Sequence, residues 1–318
     1  MLEFPEPPKG YAGIFLEETD KELPRKLNSN TRYAFFQTVA KGGKSLIKSC
    51  KDLHLARIIA YKTLRPEFAN DPVEQKRLLR EARVSAMLQH PNTVPTYELG
   101  RDNQGNYYFT MKYVHGYTLR EILNFRDRYD LTQLIDVLVQ IGHALEYAHS
   151  HGVAHRDLKP ENILVGPYGE VVLLDWGLAK VWSRDGPEIE EAVESATAVT
   201  DQTMTGHAQL QGTVCYMSPE QVRKDPNISY QTDIYSLGAV LYEILTGQTP
   251  FTGDKVHEVV TQVLEQTPCA PSEATEMRVP KLLEQLAMKC LAKDPQARVA
   301  TIADMVRLMQ EDWRVELL

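Results

Sequence analysis

Two short polar motifs carry the residues of this sequence that could do chemistry. The first runs from His155 to Asn162, and the second, Asp175-Trp176-Gly177, follows Asp157 by 18 positions. Together they supply two carboxylates, an ammonium group and a carboxamide in loops that punctuate apolar, strand-like runs. This set fits phosphoryl transfer from a nucleotide, in which one carboxylate orients or deprotonates a hydroxyl and the other binds metal together with the amide. An isolated His-x-Asp would indicate only a polar turn, whereas eight residues in this order are specific.

The order of these residues resembles the eukaryotic-type protein kinase family, and most of all its bacterial serine/threonine kinases. The resemblance extends over residues 31–312. It implies an α+β, bilobal fold, in which a small antiparallel β-sheet lobe with one main helix precedes a larger, mainly helical lobe. It also implies a cleft between the lobes that binds ATP with Mg²⁺, or Mn²⁺ in its place, and protein substrates that offer Ser or Thr hydroxyls.

Composition excludes several other classes of protein. The chain has 318 residues, 43% hydrophobic and 25% charged, and a net charge of -8, which argues against a nucleic-acid partner. Its four cysteines form no C-x-x-C pair, so we expect free thiols. No signal peptide or membrane segment is apparent in this chain. We therefore expect a cytoplasmic protein, or the cytoplasmic domain of a longer membrane-anchored kinase.

The sequence suggests three regions. Residues 1–30 are rich in Pro and charge and predict a flexible N-terminal extension. Residues 31–114 predict the first lobe and residues 115–318 the second, with an activation segment over 175–220. The predicted elements are strand-like runs at Tyr33–Leu64, Thr93–Leu99 and Tyr107–Val114, a helix from Asp71-Pro72 to His90-Pro91-Asn92, an amphipathic helix over Leu134–Ala148 and a buried helix over Asp233–Leu245.

The stretch Val39–Ile47 aligns with the glycine-rich loop of the family, whose backbone amides approach phosphate. Gly42 and Gly43 remain, but Ala40 and Ser45 stand at two of the family's three glycine positions. By itself this stretch would indicate a plain hairpin turn. Its position about 20 residues before a matching lysine favours a phosphate-binding loop.

That lysine is Lys62 in Ile59-Ala60-Tyr61-Lys62, and Glu81 follows it by 19 positions. Either residue alone would be read as solvated. Together they match the family's ion pair, which directs the lysine at the nucleotide phosphates. The resemblance also implies that Ile47, Ala60 and Leu164 sandwich the adenine, and that Met111, Lys112 and Val114 belong to the hinge beside it. Val39, in the glycine-rich loop, would also bind ATP.

The resemblance assigns roles to the two polar motifs. Asp157 would orient or deprotonate the acceptor hydroxyl, and Lys159 would contact the γ-phosphate, as is typical of serine/threonine kinases. Asn162 and Asp175 would hold the metal ions. His155 is interpreted as structural and Trp176, in place of the usual Phe, as a packing variant.

The remaining assignments concern regulation and support. Arg156 would pair with a phosphate on the activation segment, where Thr203 and Thr205 are the better candidates among several hydroxyls. A solvated insert without a regulatory role is the alternative. Thr213 would bond to Lys159 and Asp157. Three structural residues complete the set, namely Glu220, which would pair with Arg298, and Asp233, which would bond to the catalytic-loop backbone.

Three functions fit these residues to different degrees. A serine/threonine protein kinase, activated by autophosphorylation in a way that a homodimer would permit, accounts for all of them. A pseudokinase that senses nucleotide or acts as a scaffold is favoured by Ala40 and Ser45 alone. A small-molecule phosphotransferase would not need Lys159, the Ser218-Pro219-Glu220 motif or Arg298.

Overall fold

The computed structural model describes residues 22–23, 29–182, 213–311 and 313–317. The chain divides into two compact units, of which the first ends at Gly116 and the second begins at Tyr117. Most of the predicted N-terminal extension and the middle of the predicted activation segment lie outside the described residues.

The first unit is built on a five-stranded antiparallel sheet with the strand order β1-β2-β3-β5-β4. Its central strand β3 is rich in β-branched and aromatic residues, which pack well on a pleated surface. The elements of this unit are α1 (Ser29–Arg32), β1 (Tyr33–Lys41), β2 (Ser45–Asp52), β3 (Arg57–Leu64), α2 (Pro72–Met87), β4 (Thr96–Arg101) and β5 (Tyr107–Lys112).

Helix α2 begins where the sequence predicts. The Asp71 side chain accepts hydrogen bonds from the amides of Val73 and Glu74, and Pro72 occupies the first helical position. This cap satisfies amides that the helix itself cannot pair. The helix ends at Met87, three residues before the predicted stop, because the next residue, Leu88, already adopts an extended backbone.

The two faces of the sheet pack differently. On one face, Leu78 and Ala82 of α2 pack against Phe109 of β5. The opposite face carries its own cluster of Cys50, Ile59, Tyr61 and Tyr108. Successive residues of β3 point to opposite faces, so α2 packs on the face of the sheet to which Ala60 and Lys62 belong.

The second unit is mainly helical. Two small antiparallel sheets, β6-β8-β9 and β7-β10, accompany its helices. Its elements are β6 (Tyr117–Thr118), α3 (Leu119–Leu123), α4 (Leu131–Ser150), β7 (Val153–Ala154), β8 (Ile163–Val165), β9 (Val171–Leu173), β10 (Lys180–Val181), α5 (Pro219–Val222), α6 (Gln231–Thr246), α7 (Val256–Glu265), α8 (Pro271–Ala274), α9 (Lys281–Cys290) and α10 (Ile302–Gln310).

Helix α6 is the core of this unit. It is buried on all sides from Thr232 to Thr246, and Gly247 ends it in the left-handed conformation that favours glycine. A Cβ at Gly238 would collide with Cys290 of α9, so this glycine allows the two helices to approach closely. The helix therefore holds Asp233, its third residue, in a fixed position.

The observed elements confirm the predicted α+β class, with a small antiparallel sheet and one main helix followed by a larger helical unit. The predicted strand-like run from Tyr33 to Leu64 is divided into three strands by turns at residues 42–44 and 53–56. No helix of the described ranges has the length and apolar character that crossing a bilayer requires.

Candidate active site

Asp233 holds the backbone of the predicted catalytic loop, residues 155–162, which follows strand β7. Its two carboxylate oxygens accept hydrogen bonds from the amides of His155 and Arg156, each at 2.8 Å, and His149 Nε2 lies 2.8 Å from Oδ2. Burial alone would raise the pKa of Asp233, but the hydrogen bond and charge of His149, with the backbone amides, hold it below its usual range. The carboxylate thus stays ionised and fixes the loop.

Arg156 and Asp175 both adopt backbone conformations that are rare outside glycine. Their φ angles are 68° and 62°, in the left-handed region. Such a conformation costs on the order of 1 kcal/mol or more in a residue with a Cβ, and it persists where surrounding contacts enforce it. The two strained positions lie in the two polar motifs identified in the sequence.

Asp157, Lys159 and Asn162 converge in the loop. Lys159 Nζ lies 2.9 Å from both carboxylate oxygens of Asp157. Asn162 Nδ2 donates to the Asp157 carbonyl at 2.7 Å and to its Oδ2 at 3.0 Å. Burial raises the pKa of Asp157, the charge of Lys159 opposes this and the charge of Asp175 adds to it. The group is therefore a stronger base than an ordinary carboxylate.

His155 joins the two motifs. Its Nδ1 accepts from the Asp157 amide at 3.2 Å, so Nε2 carries the proton that is donated to the Leu174 carbonyl at 2.9 Å. Its ring meets that of Trp176 edge to face at 4.6 Å. Both rings are buried, so these contacts fix the backbone on either side of Asp175.

The side chains of Asn162 and Asp175 fit a divalent cation. The Leu174 amide donates to the Asn162 carbonyl at 2.8 Å, which brings the two motifs together. Both hydrogen bonds from the Asn162 amide nitrogen go to Asp157, so its side-chain oxygen is the atom left for a metal. An amide oxygen with one or two carboxylates is a donor set that Mg²⁺ uses when phosphate oxygens complete its shell.

In the first unit, Lys62 and Glu81 form the predicted ion pair. Lys62 Nζ lies 2.5 Å from Glu81 Oε1, and their side chains are only 7% and 9% exposed. The lysine is fixed by strand pairing, since Lys62 lies opposite Ile47 on β2 and opposite Phe109 on β5.

The predicted ATP-binding residues of this unit lie on strands of its sheet. Ala60 is buried on β3 opposite Met111 of β5. Lys112 ends β5, and Val39 is half-exposed on β1. Leu164, the predicted residue from the second unit, lies in the middle of β8.

Gly42 and Gly43 form the turn of the β1–β2 hairpin. The Gly42 amide donates to the Ser45 carbonyl at 2.9 Å, and Ala40 lies opposite Ile47. A Cβ at Gly42 would lie 3.0 Å from Ser45 Oγ, so a larger residue there would require the Ser45 side chain to shift. Ala40 lies in β1 and Ser45 begins β2, so the two residues stand on either side of this turn. Their effect on ATP affinity, which the sequence left open, stays untested.

The end of the predicted activation segment is bonded to the loop that precedes α10. Ser218 caps α5, and Arg298 makes two parallel bonds to Glu220, Nη1 to Oε1 at 2.7 Å and Nη2 to Oε2 at 2.8 Å. Gln221 Nε2 donates to the Arg156 carbonyl at 2.6 Å.

Thr213 is the first described residue after position 182, and its carbonyl accepts from the Tyr216 amide. Thr203 and Thr205 lie outside the described residues.

Sequence reasoning missed a polar network around Arg120 of α3. Arg120 bonds to Glu243 of α6, to the Tyr216 hydroxyl and, at 2.9 Å, to Glu161 of the catalytic loop. Tyr216 also donates to Glu243. Only Glu161 stands in a recognised motif, and the partners are too far apart in sequence for spacing to reveal the network.

Comparisons with known proteins agree with this geometry. A model of the protein kinase domain family matches residues 33–314. Serine/threonine-protein kinase PknD of Protochlamydia amoebophila is 36% identical over 290 residues, and PknB of Mycolicibacterium smegmatis is 36% identical over 277 residues. Each alignment covers 86% of this chain, but it covers 29% of PknD and 42% of PknB, so the chain spans less than half the length of these relatives. Because the family model covers residues 33–314 of the 318-residue chain, and these relatives are 36% identical over 86% of it, this chain belongs to the protein kinase family.

Proposed function

We propose that this chain is a serine/threonine protein kinase, which transfers the γ-phosphoryl group of ATP to Ser or Thr hydroxyls of proteins. The contact of Asp157 with Lys159 and Asn162 carries the proposal. It sets a base, a cation and a metal-binding amide within one short loop. The relatives, which are named as serine/threonine kinases, support the same activity.

Each residue has a defined role in this proposal. Asp157 orients the acceptor hydroxyl and takes its proton, and Lys159 neutralises charge on the γ-phosphoryl oxygens as the bond to the β-phosphate breaks. Asn162 and Asp175 hold Mg²⁺, which when bound offsets the negative charge of the phosphates. Lys62, held by Glu81, contacts the α- and β-phosphates.

The alternatives receive less support. A pseudokinase would not need the intact ion pair of Lys62 with Glu81 or the Asp157 cluster, and the two relatives compared above are named as serine/threonine-protein kinases. A small-molecule phosphotransferase would not need the buried pair of Glu220 with Arg298 that secures the end of the activation segment.

A radiolabelled ATP assay with a generic basic protein tests the proposal most directly. We expect Mg²⁺-dependent label on serine or threonine of the acceptor, identified by phosphosite mapping. Label that appears only on a small molecule, or no label from a preparation that binds Mg·ATP, would contradict it.

We predict that Asp175→Asn weakens Mg²⁺-dependent nucleotide binding, because it replaces one of the two proposed metal ligands with a neutral amide. The measurement is the thermal shift produced by ATP with and without Mg²⁺, since a ligand raises the melting temperature according to its affinity. The Mg²⁺-dependent part of the shift should shrink in the variant. A shift equal to that of the wild type would rule out Asp175 as a ligand.

We also propose activation by autophosphorylation at Thr203 or Thr205, which a transient homodimer would permit. A phosphate there would form charge-assisted hydrogen bonds to Arg156 and order the segment. The glutamates at 188, 190, 191 and 194 oppose added charge, which favours Thr203 and Thr205, the candidates farthest from them in the sequence.

The expected result is that incubation with Mg·ATP adds phosphate to this window and raises activity, and that replacing both threonines with alanine abolishes the rise. Replacing Thr197 and Thr200 in the same way provides the matched control. Mass spectrometry that finds no phosphate between residues 195 and 205 in a fully active preparation would contradict the proposal.

A further inference from the structure

Helix α2 carries two buried glutamates, one of which binds a lysine of strand β3 and the other a lysine of the β1–β2 turn. Glu74 and Glu81 are 5% and 7% exposed, and they are seven positions apart. Seven residues fall about 20° short of two full helical turns, so both side chains leave the same face of the helix, about 10 Å apart along it. Glu81 binds Lys62, which the family assigns to the nucleotide. Glu74 binds Lys44, to which neither the sequence motifs nor the comparisons give a role.

Lys44 belongs to the β1–β2 turn that aligns with the phosphate-binding loop. Its Nζ lies 2.5 Å from Glu74 Oε1, and 5.8 Å from the centre of the Phe68 ring. Its backbone is also held, because its carbonyl accepts from the Arg65 amide at 2.9 Å and the Gly43 carbonyl accepts from Arg65 Nη1 at 3.1 Å. The turn is therefore fastened by its backbone to the end of β3 and by one side chain to α2.

Glu74 has a second partner within its own helix, Arg77, whose Nη1 lies 2.8 Å away. Arg77 neutralises the buried carboxylate from within the same helix, so this neutralisation does not depend on the turn. Lys44 differs because it is 37% exposed and comes from outside the helix, so its bond to Glu74 fixes the turn more than it neutralises the carboxylate. Replacing Arg77 or Lys44 singly therefore separates the loss of neutralisation of Glu74 from the loss of the bond that fixes the turn.

We propose that the bond between Lys44 and Glu74 positions the phosphate-binding turn, so that the helix that presents Glu81 to Lys62 also sets the turn in place. This inference rests on the proposed function, since it assumes that the turn contacts nucleotide phosphates. Ala40 and Ser45 replace two glycines that would let the loop adapt to the phosphates, and a loop that adapts less must be held in the correct place beforehand. Lys44 and Glu74 are positioning residues in this scheme, not catalytic ones.

The test is a double-mutant cycle with Lys44→Met, Glu74→Gln and the double variant, measured by KM for ATP, by kcat and by calorimetric affinity for Mg·ATP. We expect each single variant to raise KM and the dissociation constant about two- to fivefold, the size typical of a half-exposed ion pair, with a smaller change in kcat. The double variant should be no worse than the poorer single variant, because both changes break the same contact.

Arg77→Met is the matched control. It removes the other partner of Glu74 without touching the turn, so it should leave the ATP affinity at the wild-type value. Melting temperatures without nucleotide show whether a variant acts by destabilising the fold.

Additive effects of the two single variants, or an Arg77→Met variant that weakens ATP binding as much as Lys44→Met does, would overturn the inference. Variants that bind Mg·ATP as the wild type does would overturn it too, while leaving the proposed function intact. Failure of the wild-type protein itself to bind Mg·ATP would instead refute the proposed function, and the inference with it.

Discussion

Replacing Asp157 with asparagine should lower kcat about 10²- to 10⁴-fold while the protein stays folded and still binds nucleotide. Asparagine keeps the shape of the side chain and can still face Lys159, but it cannot take the hydroxyl proton. The loss falls on the transition state, so kcat and kcat/KM for the protein acceptor should drop together.

The fold should tolerate this change because the pKa of Asp157 is raised in the folded protein. Burial, with the charge of Asp175, raises it against the opposing effect of Lys159. A raised pKa means that the folded state binds the proton more tightly than the unfolded chain. The contribution of Asp157 to stability therefore falls as the pH rises through that pKa, and at neutral pH the carboxylate is a cost. Asparagine removes this cost, which offsets the lost bonds to Lys159.

The measurements are steady-state kinetics, the affinity for Mg·ATP and chemical denaturation. Asp136→Asn makes the same change on the exposed surface of α4 and should leave turnover at the wild-type level. Near-wild-type turnover in Asp157→Asn would show that another group handles the hydroxyl proton.

The sequence alone predicted those parts of the fold that depend on residues close together in the chain. The apolar repeat from Leu134 to Ala148 marks the buried face of α4, and the cap at Asp71 marks the start of α2. The order of the motifs also predicted the family, because the chemistry needs all of these residues together and none can be replaced alone. Each of these features can be read within one element or one loop.

What the sequence could not show depends on contacts between distant parts of the chain. Nothing in the residue types indicates that Arg156 and Asp175 adopt positive φ angles, since arginine and aspartate are ordinary in loops. The hydrogen bonds that Gln221 donates to the Arg156 carbonyl and Lys44 donates to Glu74 likewise follow no repeat in the sequence. Folding creates these juxtapositions, so they become apparent only once the elements are packed.

Arg298→Ala should destabilise the second unit by about 3–5 kcal/mol, the typical effect of removing one partner of a buried ion pair. The Arg298 side chain is fully buried, and Glu220 is 8% exposed. Without the guanidinium, the carboxylate keeps its burial and loses its counter-charge. Arg298 also donates to the carbonyls of Ala292, Gln231 and Lys293, which would lose their donor.

Urea denaturation measures this loss, and Arg307→Ala is the matched control. Arg307 makes a comparable bond to Asp304 on α10, but both side chains are exposed, so water screens the pair and its removal should change stability little. The double replacement Glu220→Leu with Arg298→Met should recover part of the loss, because no unpaired charge remains buried. It should not recover all of it, since the three carbonyls stay without their donor. Equal stability of Arg298→Ala and the wild type would mean that the pair holds the end of the activation segment without stabilising the fold.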